Sequence, residues 1–336
     1  MTLKETAVIT GITGQDGSYL AELLLSKGYE VVGLVRRSTH QRHENIEHLA
    51  DQIILEHGDM ADSSTLDYLI TKYQPSEVYN LAAQSVPADS WKQPMTTGEI
   101  TALGTVRILE ALRKHKPDTK FYQATSREIY GGVKREVIDE ESPMFANNPY
   151  GVAKLYAHLM TLTYRQSYDM FACSGILFNH ESPRRGLHFV TRKVTTAAAA
   201  ICLGIKNPPL NEHGRPLVEN GKLKLGNLKS MRDWGYAKEY VIAMWEMLQQ
   251  KKPEDYIIAT NTTHSIEDLC RLAFGYVGLD WQEYVKSDPR FMRPTEIEVQ
   301  RGDYSKAKSE LGWEPKTLFP ELVKLMVEAD IERLKV

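Results

Sequence analysis

Residues 6 to 24 read TAVITGITGQDGSYLAELL, and the fold turns on how this stretch is read. Its opening is a short run of Ala, Val, Ile and Thr, the composition of a strand buried on both faces. Its close places Tyr19, Leu20, Leu23 and Leu24 at helical spacing. Between the two, Gly11, Gly14 and Gly17 recur at every third residue. Glycine lets the backbone turn tightly and approach a pyrophosphate, which then rests at the positive N-terminus of the helix. A glycine string alone is weak evidence. Set between a first strand and a first helix, it predicts a dinucleotide cradle that also takes in Gln15 and Asp16.

The same alternation continues outward. YEVVGLVR (29–36), QIILEHGD (52–59), SEVYNLAA (76–83), KFYQATS (120–126) and FACSGILFN (171–179) read as strands, with helical periodicity between several of them. Alternating strands and helices predict an α/β chain: a Rossmann-type doubly wound parallel sheet, covered on both faces. After Asn179 the pattern loosens into a smaller mixed α/β C-terminal lobe, with helices expected near 265–277 and 319–334. The expected division is 1–178 for the dinucleotide domain, with segments around 227–262 interleaved, and 179–336 for the second lobe.

Composition narrows the possible functions. The 336 residues carry 41 Lys and Arg against 44 Asp and Glu, a formal net charge of -3, so no general basic field draws nucleic acid or a membrane surface. Cys173, Cys202 and Cys270 stand far apart in apolar contexts and read as buried, reduced thiols. The ten histidines show no metal-ligand spacing, so no metal is expected. No apolar run approaches the roughly 20 residues of a membrane span, and Met1 opens no signal-peptide pattern, so a cytoplasmic protein is expected.

Chemistry enters at the strand ends. After the second strand, Arg36 and Arg37 stand where an NAD site usually presents an acid, and they suit the 2′-phosphate of NADP. Asp59 and Met60 are placed to flank the adenine, and Leu81, Ala82 and Ala83 offer a small-residue backbone that can run past the cofactor. Tyr150 and Lys154, four apart on one helix face, form a pair in which the ammonium stabilises phenolate. Ser126 can hold a carbinol oxygen. Glu128 exceeds the needs of simple hydride chemistry: once a sugar's C4 is a ketone, the C5 proton is acidified, and a base that takes it allows water to leave from C6.

Seven stretches, GITGQDGSYL, YNLAAQS, FYQAT, NPYGVAKLYA, GILFNHESPRRG, FVTRKVT and RDWGYAKEYV, make the chain resemble the GDP-mannose 4,6-dehydratase family over nearly its whole length. The resemblance implies NADP as cofactor and conversion of GDP-D-mannose to GDP-4-keto-6-deoxy-D-mannose. It assigns Ser126, Glu128, Tyr150 and Lys154 to catalysis. It assigns Ser85, Asn179, Arg185, Lys193, Arg232, Arg293 and Glu296 to the GDP-sugar. It also implies a homodimer or homotetramer formed through helices near 96–114 and 149–167, with Arg42 reaching a neighbouring subunit's cofactor.

Three departures from the family pattern bear on the substrate. Ser126-Arg127-Glu128 replaces the usual Thr-Ser-Glu. Val86 and Pro87 replace a bulkier or polar pair. Residues 207–227 (NPPLNEHGRPLVENGKLKLGN) carry an insertion expected to form a surface hairpin turning at ENGK. Two alternatives stay open on these grounds: the same chemistry on a GDP-manno-heptose, or an NADP-dependent epimerase or reductase of a related GDP-sugar.

Overall fold

The computed structural model describes residues 4–37, 43–292 and 299–335. Arg42, Arg293 and Glu296 lie outside the described residues.

Seven strands form one parallel sheet: β1 (Thr6–Thr10), β2 (Glu30–Val35), β3 (Ile54–His57), β4 (Glu77–Asn80), β5 (Lys120–Ser126), β6 (Ala172–Leu177) and β7 (Tyr256–Ile258). Their order across the sheet is β7-β6-β5-β4-β1-β2-β3, with every neighbouring pair parallel. The order reverses between β1 and β4, which opens a crevice at the carboxyl ends of these two strands.

The alternation along each strand builds two cores. Ile9, Val31, Tyr79 and Tyr122 point to one face and meet α1 (Gln15–Ser26) and a helix of the later sequence. Val8, Val32, Val78 and Phe121, each the chain neighbour of one of these, point to the other face. They pack against α2 (Ser63–Tyr73), α3 (Gly104–His115) and α4 (Pro149–Tyr168). A strand with both faces covered reads as an unbroken apolar run, which is why the first strand showed no polar alternation. β3 differs: Ile54 and Leu55 are exposed, as suits the sheet's edge.

Inside the sheet, a buried polar network joins three of its strands to one helix. Thr10 Oγ1 donates to Asn80 Oδ1 at 2.7 Å, and Asn80 Nδ2 donates to Gln123 Oε1 at 2.8 Å and to Thr105 Oγ1 at 3.1 Å. Thr10 Oγ1 also accepts from the N–H groups of Leu81 and Ala82, at 3.1 Å each. Each group in the chain is satisfied, so the network fixes β1, β4, β5 and α3 in register instead of weakening the core.

The chain returns to the sheet after a long excursion. A helix over Ala237–Gln249 packs with α1 on the first face, and β7 then closes the sheet's edge beside β6. The second lobe holds a three-stranded sheet of Asn179–Glu181, Met231–Tyr236 and Thr263–Ser265. A second small sheet joins Val218–Glu219, Lys222–Leu225 and Val285–Ser287. Around them lie helices over Val190–Cys202, Ile266–Tyr276 and Phe319–Lys335, sharing a core that includes Trp234, Phe274 and Val323. Cys173 and Cys270 are buried as expected, but Cys202, at the last position of its helix, is exposed. The hairpin read at ENGK is present: Lys222 pairs with Glu219, and Asn220 and Gly221 take φ of 51° and 70°, the left-handed pair of a tight two-residue turn.

Candidate active site

The crevice begins at the glycine turn. Gly11 has φ of 73°, and a Cβ there would lie 2.9 Å from the backbone nitrogen of Ala82. A Cβ on Gly17 would lie 2.4 Å from the carbonyl oxygen of Gly11, so α1 can start this close to the turn only with glycine. Gly14 caps α1 without a side-chain hydrogen bond, and the first amides of the helix remain open to an anion. This bare cradle fits a dinucleotide's pyrophosphate.

The side chains of Gln15 and Asp16 do other work. Gln15 Nε2 donates to the carbonyl oxygen of His180 at 3.1 Å, and Ser182 Oγ donates to Gln15 Oε1 at 2.8 Å. Asp16 pairs with His180 at 2.9 Å, and the His180 ring stacks on Tyr240. Burial pushes the Asp16 carboxyl up, but His180 and Arg185 outweigh it and hold the group below its ordinary range. Burial likewise disfavours the His180 cation, and Asp16 overrides it, raising that pKa. These contacts brace α1 against the strand Asn179–Glu181, so what the two residues can offer a cofactor is their backbone.

Around the cradle, Arg36 and Arg37 are exposed at the carboxyl end of β2. Asp59 Oδ1 accepts from Ala61 N at 2.9 Å, and Met60 is buried beside Gly104. Leu81 and Ala82 are held by Thr10, with Ala83 next to them partly buried and Ser85 exposed beyond.

The four residues read as catalytic converge. Ser126 ends β5 and caps a short helical turn, Arg127–Tyr130, its Oγ accepting from Glu128 N at 3.3 Å. The Ser126 hydroxyl lies near the Tyr150 phenol. Tyr150 and Lys154 lie in the first turns of α4, which starts sharply because Asn148 caps it and Pro149 takes the first helical position. Burial pushes the Tyr150 phenol up to about 12, while the neighbouring Ser126 hydroxyl acts to lower it. Burial also pulls Lys154 down to about 8. Its Nζ donates to Ala124 O at 2.6 Å and lies 5.9 Å from the centre of the Tyr150 ring. Glu128 is buried, accepts from Asn148 Nδ2 at 2.8 Å, and has Arg127 Nη2 at 3.7 Å from its other oxygen.

The residues read as substrate contacts are spread wider. Asn179 pairs in register with Trp234, and Arg232 is buried on the same sheet, its Nη1 donating to Met231 O at 2.6 Å. Arg185 pairs with Glu181 at 3.2 Å, lies 3.5 Å over Phe189, and acts electrostatically on both Tyr150 and Asp16. Its loop is tied down by Arg192, which donates to the carbonyls of Pro183 and Arg185 and pairs with buried Asp330 at 2.6 Å. Lys193 pairs with Glu212 and lines a cavity of about 320 Å³ with Arg215, Lys222, Lys224, Arg290 and Phe291. Arg185 lines a different cavity, of about 490 Å³, with Arg184 and Arg192.

Sequence reasoning missed Asn148, although an Asn before a Pro that opens a helix marks a cap. It also missed that the 207–227 hairpin supplies Arg215, Lys222 and Lys224 to the cavity of Lys193. Nothing in the local pattern points those side chains inward.

The family model described as GDP-mannose 4,6 dehydratase matches residues 8–326. "GDP-mannose 4,6 dehydratase 1" of Arabidopsis thaliana is 45% identical over 344 residues, spanning 99% of this chain and 91% of the plant protein. Among solved structures, the UDP-glucose 4-epimerase of Thermotoga maritima with UDP-glucose superposes with a TM-score of 0.84 at 23% identity, over 98% of this chain and 99% of that one. RMD from Pseudomonas aeruginosa, complexed with NADPH, superposes with a TM-score of 0.78 at 20% identity, over 98% of this chain and 100% of that one. These two show a shared fold. Among the described residues, no helix is long and apolar enough to cross a membrane.

Proposed function

The chain belongs to the GDP-mannose 4,6 dehydratase family, and from that premise we propose that it converts GDP-D-mannose to GDP-4-keto-6-deoxy-D-mannose. One observation carries the reading: Glu128 shares a crevice with Ser126, Tyr150 and Lys154, at the carboxyl end of β5 and beside the glycine cradle. An oxidoreductase that only moved a hydride would need the last three and not a buried carboxylate.

The residues divide the work by position. Ser126 holds the C4 oxygen, and Tyr150 removes the C4 hydroxyl proton. Lys154 provides the positive charge that brings a buried phenol toward the working pH. Glu128 takes the C5 proton and passes it to the C6 hydroxyl, which leaves as water, and the proton held by Tyr150 returns to C5. NADP, when bound in the cradle, supplies an acceptor for hydride from C4 and a donor back to C6, so the net redox change is zero. Arg36 and Arg37 favour NADP over NAD because two guanidiniums match a 2′-phosphate. The basic cavity of Lys193 and the nearby Arg185 suit the charge of a nucleoside diphosphate. Self-association uses the helices that expose Leu103, Val152, Tyr156 and Leu159.

The test is incubation with GDP-mannose and catalytic NADP, followed by mass spectrometry. Loss of one water with no net consumption of cofactor is expected. An unchanged mass with GDP-mannose but loss of water from a GDP-manno-heptose moves the substrate assignment. Stoichiometric consumption of NADPH, or an epimer without water loss, overturns the dehydratase reading.

A further inference from the structure

Asn148 makes three contacts with one side chain. Its Oδ1 accepts from Gly151 N at 2.9 Å and so caps α4, while its Nδ2 donates to Glu128 Oε2 at 2.8 Å and to Asn147 Oδ1 at 3.2 Å. Asn147 in turn donates to Gly131 O at 2.8 Å, just past the turn that holds Glu128. The backbones are close as well, since a Cβ on Gly151 would lie 2.6 Å from the carbonyl oxygen of Glu128. The helix that carries Tyr150 and Lys154 is therefore keyed directly to the residue read as the base.

The other carboxylate oxygen faces a different neighbour. Arg127, 3% exposed, places Nη2 3.7 Å from Glu128 Oε1. That is too far for a hydrogen bond and close enough for strong attraction inside the protein. Glu128 thus meets two neighbours at once, one oxygen hydrogen-bonded to Asn148 and the other within ion-pair reach of Arg127. A charge-assisted guanidinium–carboxylate contact is about twice as strong as a neutral hydrogen bond. Moving the carboxylate by about 1 Å toward Arg127 would turn that contact into a hydrogen bond at the expense of the one to Asn148.

We infer that Asn148 is a positioning residue that holds Glu128 against the pull of Arg127, and so couples the base to the Tyr150–Lys154 pair. The structural half of this inference stands on geometry alone; its kinetic half rests on the dehydratase reading. With Asn148 shortened, Glu128 closes on Arg127 while Ser126, Tyr150 and Lys154 are unchanged. Oxidation at C4 then continues and removal of the C5 proton lags.

The test uses Asn148→Ser and Asn148→Asp, both of which keep an acceptor for Gly151 N and so keep α4 capped. In a crystal structure of Asn148→Ser, the Arg127–Glu128 contact is expected to close to about 2.8 Å. A carboxylate that stays in place overturns the inference, whatever reaction the protein catalyses. In kinetics, water loss is expected to slow about 100-fold, the scale of a misplacement of about 1 Å. KM is expected to change by less than about threefold, and the near-ultraviolet absorbance of reduced nicotinamide is expected to build up during turnover. Adding Arg127→Ser to Asn148→Ser is expected to recover most of the lost rate. A slowed rate without reduced cofactor, or no recovery in the double variant, overturns the coupling. If the wild-type protein releases no keto sugar, the functional reading has failed, and the crystal structure still decides the positioning.

Discussion

Lys154 Nζ donates a 2.6 Å hydrogen bond to the carbonyl oxygen of Ala124, so the ammonium on α4 is fixed to the strand that ends in Ser126. The bond sets the distance between the lysine and the tyrosine one turn earlier. It also holds a cation in a place where burial opposes charge.

Replacing Lys154 with Met should therefore separate stability from activity. The folded-state pKa is about 8 against an ordinary 10.5, so the buried ammonium weakens the fold wherever it is charged. The penalty is complete below about pH 8, shrinks as pH rises from there to 10.5, and is gone above that. Lys154→Met is expected to raise the midpoint of thermal unfolding at pH 7, with the gain shrinking toward pH 10, while turnover falls by about 100-fold or more. Paired melting curves at the two pH values and a turnover assay check it.

Tyr150→Phe removes the hydroxyl that lies near Ser126 and keeps the ring. Turnover should fall by about 10²–10⁴-fold, the usual weight of a proton-transfer group, with stability changed by about 1 kcal/mol or less. Denaturant melts beside product analysis distinguish this from a folding defect. Full activity in the variant would remove Tyr150 from the chemistry.

The glycine cradle predicts a graded response. At Gly17 the added Cβ meets the backbone of Gly11 and Ile12, at 2.4 and 2.6 Å, and backbone cannot step aside. At Gly14 the nearest atom is 3.2 Å away. Gly17→Ala is expected to cost about 1–3 kcal/mol and to abolish the rise in melting temperature on adding NADP, whereas Gly14→Ala should be much closer to wild type in unfolding without cofactor.

Asp233 is a buried hub of the second lobe. Its carboxylate accepts from Thr260 N at 2.9 Å, Thr260 Oγ1 at 2.6 Å, Asn261 N at 3.0 Å and Gly302 N at 3.2 Å. An Asn in its place turns one acceptor into a donor facing N–H groups. Asp233→Asn is expected to destabilise the protein by about 2–4 kcal/mol, as read from urea denaturation, although its neighbours Arg232 and Trp234 are untouched.

Local physics made much of this protein legible in one dimension. Gly11 and Gly17 were legible because a turn with positive φ and a close helix start exclude any side chain, whatever lies elsewhere in the chain. The unbroken apolar runs of β1 and β2 announced a sheet covered on both faces, and the four-residue spacing of Tyr150 and Lys154 put both on one helix face. ENGK named its own turn, since Asn and Gly tolerate left-handed backbone. Tertiary structure decided what no spacing encodes. It brought Tyr256–Ile258 back to close the sheet, and it turned Gln15 and Asp16 toward His180 and Ser182, residues more than 160 positions away. It also aimed Asn148 at Glu128, across the loop between β5 and α4. Such contacts depend on which buried donors and acceptors the fold brings within 3 Å of each other, and that is settled only when the whole core has packed.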